Sequence, residues 1–264
     1  MKQICVTDSG LGGLSVCAYL VKQLKKQDKG ASIIYFNACY ADDYGYNAIA
    51  GREEKIEMFD RALYGIEKFC EPDEILVACN TLSVLLSDTT FVKKRLTAVK
   101  SIVDSGIELI QRTLSPKEMI TVFGTETTII ENTYKNRLTS IGWPENHIRQ
   151  IACPGLQTAI SSQNQVGKKI AAFTGQANKN SWYLLACTHF GIRSDAFGHS
   201  KILDPNLSMA HTACEQINES GPIRMKMVSR YPILKQEMST WSNLLKEPLT
   251  IEMLRNCDVK EDLF

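Results

Sequence analysis

Short apolar runs alternate along the chain with longer stretches in which apolar residues recur at three- and four-residue steps. The runs predict strands at residues 3–7, 32–37, 74–78, 99–103, 119–123, 148–152, 183–186 and 202–203, and the stretches predict helices around 12–27, 50–70, 126–140, 205–218 and 232–246. In the second of these helices Ile56, Phe59, Leu63 and Ile66 form one stripe fit to cover a sheet, while Glu53, Glu54, Glu57 and Arg61 lie toward water. Strands alternating with helices imply parallel βαβ units.

One strand end occurs twice. Ile75-Leu76-Val77-Ala78-Cys79-Asn80-Thr81 resembles Tyr183-Leu184-Leu185-Ala186-Cys187-Thr188-His189, each an apolar strand that ends in Ala-Cys and then polar residues. Ligands of open α/β sheets sit beyond the carboxyl ends of strands, where both cysteines fall. The expected fold is therefore α/β, with two similar lobes, each a mainly parallel sheet flanked by helices, and an active site in the cleft between them.

Composition narrows the setting. The chain has 264 residues, 44% apolar and 22% charged, with a net charge of +1, which gives no general attraction to nucleic acid or to an anionic membrane. The start, MKQICVTDSGLGG, lacks the apolar core of a secretory signal, and no run is long enough to span a bilayer. The nine cysteines are odd in number and irregularly spaced, with no CxxC pair, so a disulfide framework and a structural metal are not expected. The setting that fits is a soluble protein of the reducing cytoplasm.

Asp8-Ser9-Gly10-Leu11-Gly12-Gly13 follows the first strand and opens the first helix. Its glycines permit a tight turn and close backbone approach, and amides at the helix start favour an anion. The spacing matches neither GxGxxG nor the P-loop, so a nucleotide site is not expected. Cys79 has Asn80 and Thr81 beside it, and Cys187 has Thr188 and His189. A thiol near a histidine, or at a helix start, has its thiolate favoured and can serve as nucleophile or general base. Cys187 with His189 also reads as a thiol protease or amidase, a reading that leaves Cys79-Asn80-Thr81 and Asp8-Ser9 unexplained. A zinc site from Cys79, Cys187 and His189 has no local chelating spacing.

Taken together, Asp8-Ser9-Gly10-x-Gly12-Gly13-Leu14-Ser15-Val16, Ala78-Cys79-Asn80-Thr81 and Cys187-Thr188-His189-Phe190 resemble the three signature segments of the glutamate racemase family. Lesser matches are Tyr44-Gly45, Gly124-Thr125 with Thr128 and Tyr134, Ala152-Cys153-Pro154 and Leu203-Asp204-Pro205, in the family's order over about residues 4–215. The resemblance implies one lobe from residues 1–97 and 210–264 and another from 98–209. It implies racemisation of an amino acid with no cofactor and no metal, Cys79 and Cys187 facing opposite sides of the α-carbon. By the same resemblance Asp8 assists Cys79 and His189 assists Cys187. Ser9, Tyr44, Gly45, Asn80, Thr81, Thr125, Thr128 and Thr188 hold the substrate, glutamate, whose D-form supplies peptidoglycan. The expected partner is that small molecule, with a homodimer among the expected assembly states.

Two positions depart from the pattern. Asp43 stands where the family usually has proline before Tyr-Gly. Ser161, followed by Ser162, stands where the family carries a glutamate eight residues after the cysteine of Ala-Cys-Pro, with no carboxylate nearby in sequence. These keep open a relative acting on aspartate or another amino acid, and, in a different class, a homologue that binds without turnover.

Overall fold

The computed structural model describes residues 1–39, 45–94 and 96–264. The larger of two sheets is built from β1 (Gln3–Asp8), β2 (Ala31–Asn37), β3 (Glu74–Val77) and β4 (Ala98–Ser101). The smaller one contains β5 (Ile120–Gly124), β6 (Ile148–Ala152), β7 (Trp182–Ala186) and β8 (Ile202–Leu203). The chain then returns to the larger sheet with β9 (Ile223–Ser229) and β10 (Asp258–Val259). The strand orders are β10-β9-β2-β1-β3-β4 and β6-β5-β7-β8. Every pairing among the described residues is parallel. The α/β architecture expected from the alternating pattern is the one observed.

Each sheet is covered on both faces, as parallel sheets require. Along β1 the side chains alternate between two cores: Ile4 and Val6 pack with Leu14, Leu20 and Ala210, whereas Cys5 packs with Phe59, Leu63 and Ile66. The smaller sheet does the same, Val122 and Leu184 facing one core and Phe123 and Leu185 the other. The helix Arg52–Cys70 buries Phe59, Leu63 and Ile66 completely, each worth about 1.5–3 kcal/mol when removed from water. Ile56, at the start of the same stripe, instead packs on the core of the smaller sheet, so this helix reaches across to the other lobe.

In each sheet the first strand sits between its two successors, β1 between β2 and β3, and β5 between β6 and β7. The connections leave in opposite directions there and open a crevice at the carboxyl ends. Asp8 ends β1, Cys79 follows β3, Thr125 follows β5 and Cys187 follows β7. Four residues singled out from sequence thus stand at the two crevices.

Some elements differ from the expected ones. The helix predicted over 126–140 is two, Glu126–Ile130 and Thr133–Ser140, because Asn132 takes a left-handed backbone (φ 53°) between them. The strand predicted at 99–103 ends at Ser101, whose side chain accepts from the Asp104 amide and caps the helix Ile102–Thr113. Asp104-Ser105-Gly106, a second Asp-Ser-Gly in the chain, thereby falls in the first turns of this helix, and Gly106 lies against Tyr134, where a Cβ would approach the phenol oxygen to 2.9 Å.

Candidate active site

Asp8 joins the two halves of the site. Its Oδ2 accepts from the Thr188 hydroxyl at 2.8 Å, beyond β7, and its Oδ1 accepts from the Ser9 hydroxyl at 3.4 Å. The Ser9 Oγ lies 3.1 Å from Cys79 Sγ. One carboxylate, 2% exposed, therefore touches a group beside each thiol. On the far side, Cys187 Sγ is 4.0 Å from His189 Nδ1.

The approach of the two halves depends on glycine. A Cβ on Gly12 would lie 2.1 Å from Thr188 Oγ1 and 2.6 Å from His189 Nδ1. Asn206 ties the same junction from behind, donating through Nδ2 to Ser15 Oγ and to the Thr188 carbonyl, both at 2.9 Å. A second bridge is a chain of hydroxyls: Thr81 Oγ1 meets Thr125 Oγ1 at 2.9 Å, and Thr125 meets Thr128 at 2.9 Å. Beside Cys79, the Tyr134 hydroxyl donates to Asn80 Oδ1 at 2.7 Å, while the buried Asn80 Nδ2 has no partner. Asp43 and Tyr44 lie outside the described residues; Gly45 is exposed at the rim.

The thiols are 5% and 6% exposed, and that burial governs their acidity. For Cys79, burial and then the negative charge of Asp8 push the thiol far above its ordinary value; the Ser9 hydroxyl and the Ser9 and Leu82 amides oppose this by favouring the thiolate. Burial pushes Cys187 up to about 12, opposed by the His189 amide. Burial lowers the proton affinity of His189, against a raising influence from Asp8. Burial thus disfavours the thiolate at both positions, while the hydroxyl and amide donors beside each thiol favour it.

A cleft of about 420 Å³ opens onto this centre, with Ser9, Gly45, Ser161, His189, Glu237 and Trp241 in its wall. The cysteines lie behind Ser9 and His189 rather than on the cleft surface. Glu237 and Trp241 come from the helix Lys235–Leu245, and Trp241 meets the His189 ring edge to face, with centroids 5.2 Å apart. Sequence reading had no signal for either, nor for Asn206: all three reach the site by packing across the fold. The position of Ser161 carries no carboxylate, but Glu237 brings one into the same cleft.

Of the rival readings, the hydrolase pair Cys187 and His189 is present, yet Asp8, which accepts from Thr188 between them in sequence, also accepts from Ser9 beside a second buried thiol that a hydrolase does not need. Among the described residues no group of three or more His, Cys, Asp or Glu side chains converges as a metal centre would, and no helix is long and apolar enough to cross a membrane.

Asp204 is a buried group with a different task. Its Oδ1 accepts from the Asn206 amide at 3.0 Å and caps the helix Pro205–Glu215, while Oδ2 has no partner. Burial raises its carboxyl from the ordinary 3.8 to about 7. Between those values the folded chain holds a proton that the unfolded chain has released. The stability from this group is therefore full below 3.8 and falls as pH rises toward 7, by at most about 1.4 kcal/mol per pH unit. Asp204→Asn keeps the capping oxygen and removes the ionisation, so its melting temperature is expected to fall less steeply than that of the parent between pH 4 and 7. Parallel melting curves across that range would contradict this.

The fold and site together define a two-lobed α/β protein in which paired buried thiols end equivalent strands and share one carboxylate. Comparison with known proteins shows what the chain is similar to. The chain is 27% identical to the glutamate racemase of Campylobacter jejuni over 262 residues, covering 93% of this chain and all of that one. It is 26% identical to glutamate racemase 3 of Caldanaerobacter subterraneus over 232 residues, 83% and 80% of the two chains. The glutamate racemase of Francisella tularensis, solved with D-glutamate, superposes with a TM-score of 0.80 at 19% identity, over 100% of this chain and 99% of that one. No protein-family model matches the chain. The resemblance to glutamate racemases, first read from short motifs, extends over 93% of the chain in sequence and over all of it in fold.

Proposed function

We propose that this chain is an amino-acid racemase, with no cofactor, that interconverts L- and D-glutamate using Cys79 and Cys187 as opposed bases. The observation that carries the reading is Asp8, which contacts Ser9 beside Cys79 and Thr188 beside Cys187 and so holds two dry thiols in one centre.

Inversion needs a proton removed from one face of the α-carbon and another delivered to the opposite face. One cysteine, as thiolate, takes the α-proton; the electron pair left behind delocalises into the α-carboxylate. The other, as thiol, gives its proton to the opposite face, which leaves the two cysteines with exchanged protonation states. The α-proton is far less acidic than a thiol, so the transition state needs preorganised donors in a site without water. The Thr81, Thr125 and Thr128 hydroxyls and the unpartnered Asn80 Nδ2 are suited to the substrate carboxylates. Such a buried amide costs about 1–3 kcal/mol without a partner, a cost that a bound carboxylate removes. Asp8 assists Cys79 through Ser9, and His189 assists Cys187. Ser9, Thr188, Tyr44 and Gly45 complete the substrate contacts of this reading.

The lobes of this reading are residues 1–97 with 210–264, and residues 98–209; β4 (Ala98–Ser101) pairs with β3 in the larger sheet and runs directly into the helix Ile102–Thr113. The product, D-glutamate, would enter peptidoglycan synthesis in the cytoplasm. The test is the circular dichroism of L- and of D-glutamate incubated with the protein and no added cofactor. Loss of signal from both enantiomers is the expected result. Activity on aspartate with none on glutamate would move the substrate and keep the mechanism, whereas inactivity on both would leave a binding protein.

A further inference from the structure

The peptide between Thr188 and His189 has a partner at each end. Its N–H is the His189 amide that favours a thiolate at Cys187, with the Phe190 amide making a smaller contribution. Its carbonyl accepts from Asn206 Nδ2 at 2.9 Å. No peptide bond among the described residues is cis, and in a planar trans peptide the C=O and the N–H point in opposite directions. Whatever holds the Thr188 oxygen therefore aims the His189 amide.

Asn206 is itself held in one orientation. It is fully buried, and its side-chain amide gives its two protons to two acceptors, the Thr188 carbonyl and, also at 2.9 Å, Ser15 Oγ. Ser15 donates its own proton to the Gly12 carbonyl at 2.7 Å and so can only accept from Asn206, which settles which end of the amide faces the site. The main chain of Asn206 is fixed too, its N–H donating to Asp204 Oδ1 at 3.0 Å. Its Oδ1 has no partner, a cost in the interior that an apolar residue of the same shape would not carry. What this side chain supplies is its donors. We infer that Asn206 is a positioning residue for Cys187, which holds the Thr188 carbonyl so that the His189 amide stays aimed at the sulfur. The role of that sulfur as a base rests on the racemase reading; the aiming of the amide does not.

The test uses the full chain with Asn206→Leu, which has the shape of asparagine and no donors. Asn206→Ala, also without donors, takes its place if the leucine variant does not fold. Iodoacetamide alkylates thiolates, and its labelling rates at Cys187 and Cys79 at one pH, read by peptide mass spectrometry, require no turnover. Loss of an aimed donor predicts labelling of Cys187 slower by about 3- to 10-fold, with Cys79 within about twofold of the parent. Unchanged or faster labelling of Cys187 would overturn the inference. So would an equal change at both thiols, which would mark Asn206 as a brace of the whole junction. In racemisation the variant is expected to lose about 10-fold in kcat/KM. The isotope effect of α-deuterated glutamate should rise for the enantiomer that Cys187 deprotonates and fall for the other, a split that general loosening does not produce. A parent that racemises no amino acid sinks the racemase reading, while the labelling comparison still decides the role of Asn206.

Discussion

Serine in place of Cys79 is expected to lower kcat/KM for glutamate racemisation by about 10²- to 10⁴-fold, and serine in place of Cys187 to do the same. A serine hydroxyl keeps the size and the hydrogen-bonding of the thiol but gives up its proton far less readily. Either change therefore removes one of two bases that inversion requires, on whichever face it stood. The loss should appear in both directions of the reaction, because each cysteine abstracts in one direction and donates in the other. Thermal melts should stay close to the parent, since each position is buried yet already beside polar partners, Ser9 for Cys79 and His189 for Cys187. Circular dichroism of glutamate with each single variant checks this. Full activity of Cys79→Ser beside an inactive Cys187→Ser would instead point to hydrolase chemistry at Cys187 and His189.

Gly12→Ala is expected to lower kcat by about 10²-fold or more, although position 12 carries no chemistry. Its Cβ would stand 2.1 Å from Thr188 Oγ1 and 2.6 Å from His189 Nδ1, far inside contact distance. The backbone at Gly12 is pinned, because its carbonyl accepts from both the Ser15 hydroxyl and the Ser15 amide, so the opposing residues must move. Thr188 would leave Asp8, and His189 would shift from beside Cys187. Overpacking of this kind also costs about 1–3 kcal/mol of stability. Kinetics and a thermal melt on the same sample measure both effects. Parent-like activity with a parent-like melt would show that the two halves do not meet at Gly12.

Much of this site could be read from the sequence because its residues cluster at strand ends. The β-branched and leucine-rich runs before Cys79 and Cys187 are long enough to mark buried parallel strands, and the polar residues after them mark the crevice edge. The nearness of Asp8 to the end of its own strand could be anticipated from the motif; its bond to Thr188 could not, since it joins residues 180 positions apart. The strand β9 went unread because Arg224 and Lys226 alternate with its apolar residues, as suits a strand whose outer neighbour is only the two-residue β10. The helices Leu156–Ser162 and Val166–Thr174 went unread because they are short, and Gln163 and Gln165 take left-handed backbones between them (φ 56° and 51°). Glu237 lies far along the chain from every motif, and only packing brings its helix to the cleft.

The central claim is that two separate bases act on opposite faces of one carbon. Proton inventory in deuterated buffer tests it most directly. L-Glutamate is converted to an early stage in heavy water, and both enantiomers are then separated and analysed by mass spectrometry. Thiol protons exchange with solvent, so two bases predict D-glutamate carrying one deuterium at the α-carbon while recovered L-glutamate remains unlabelled. Label divided between both enantiomers from the start, or D-glutamate that has kept its original hydrogen, would mean that a single group removes and returns the proton, and would contradict the account.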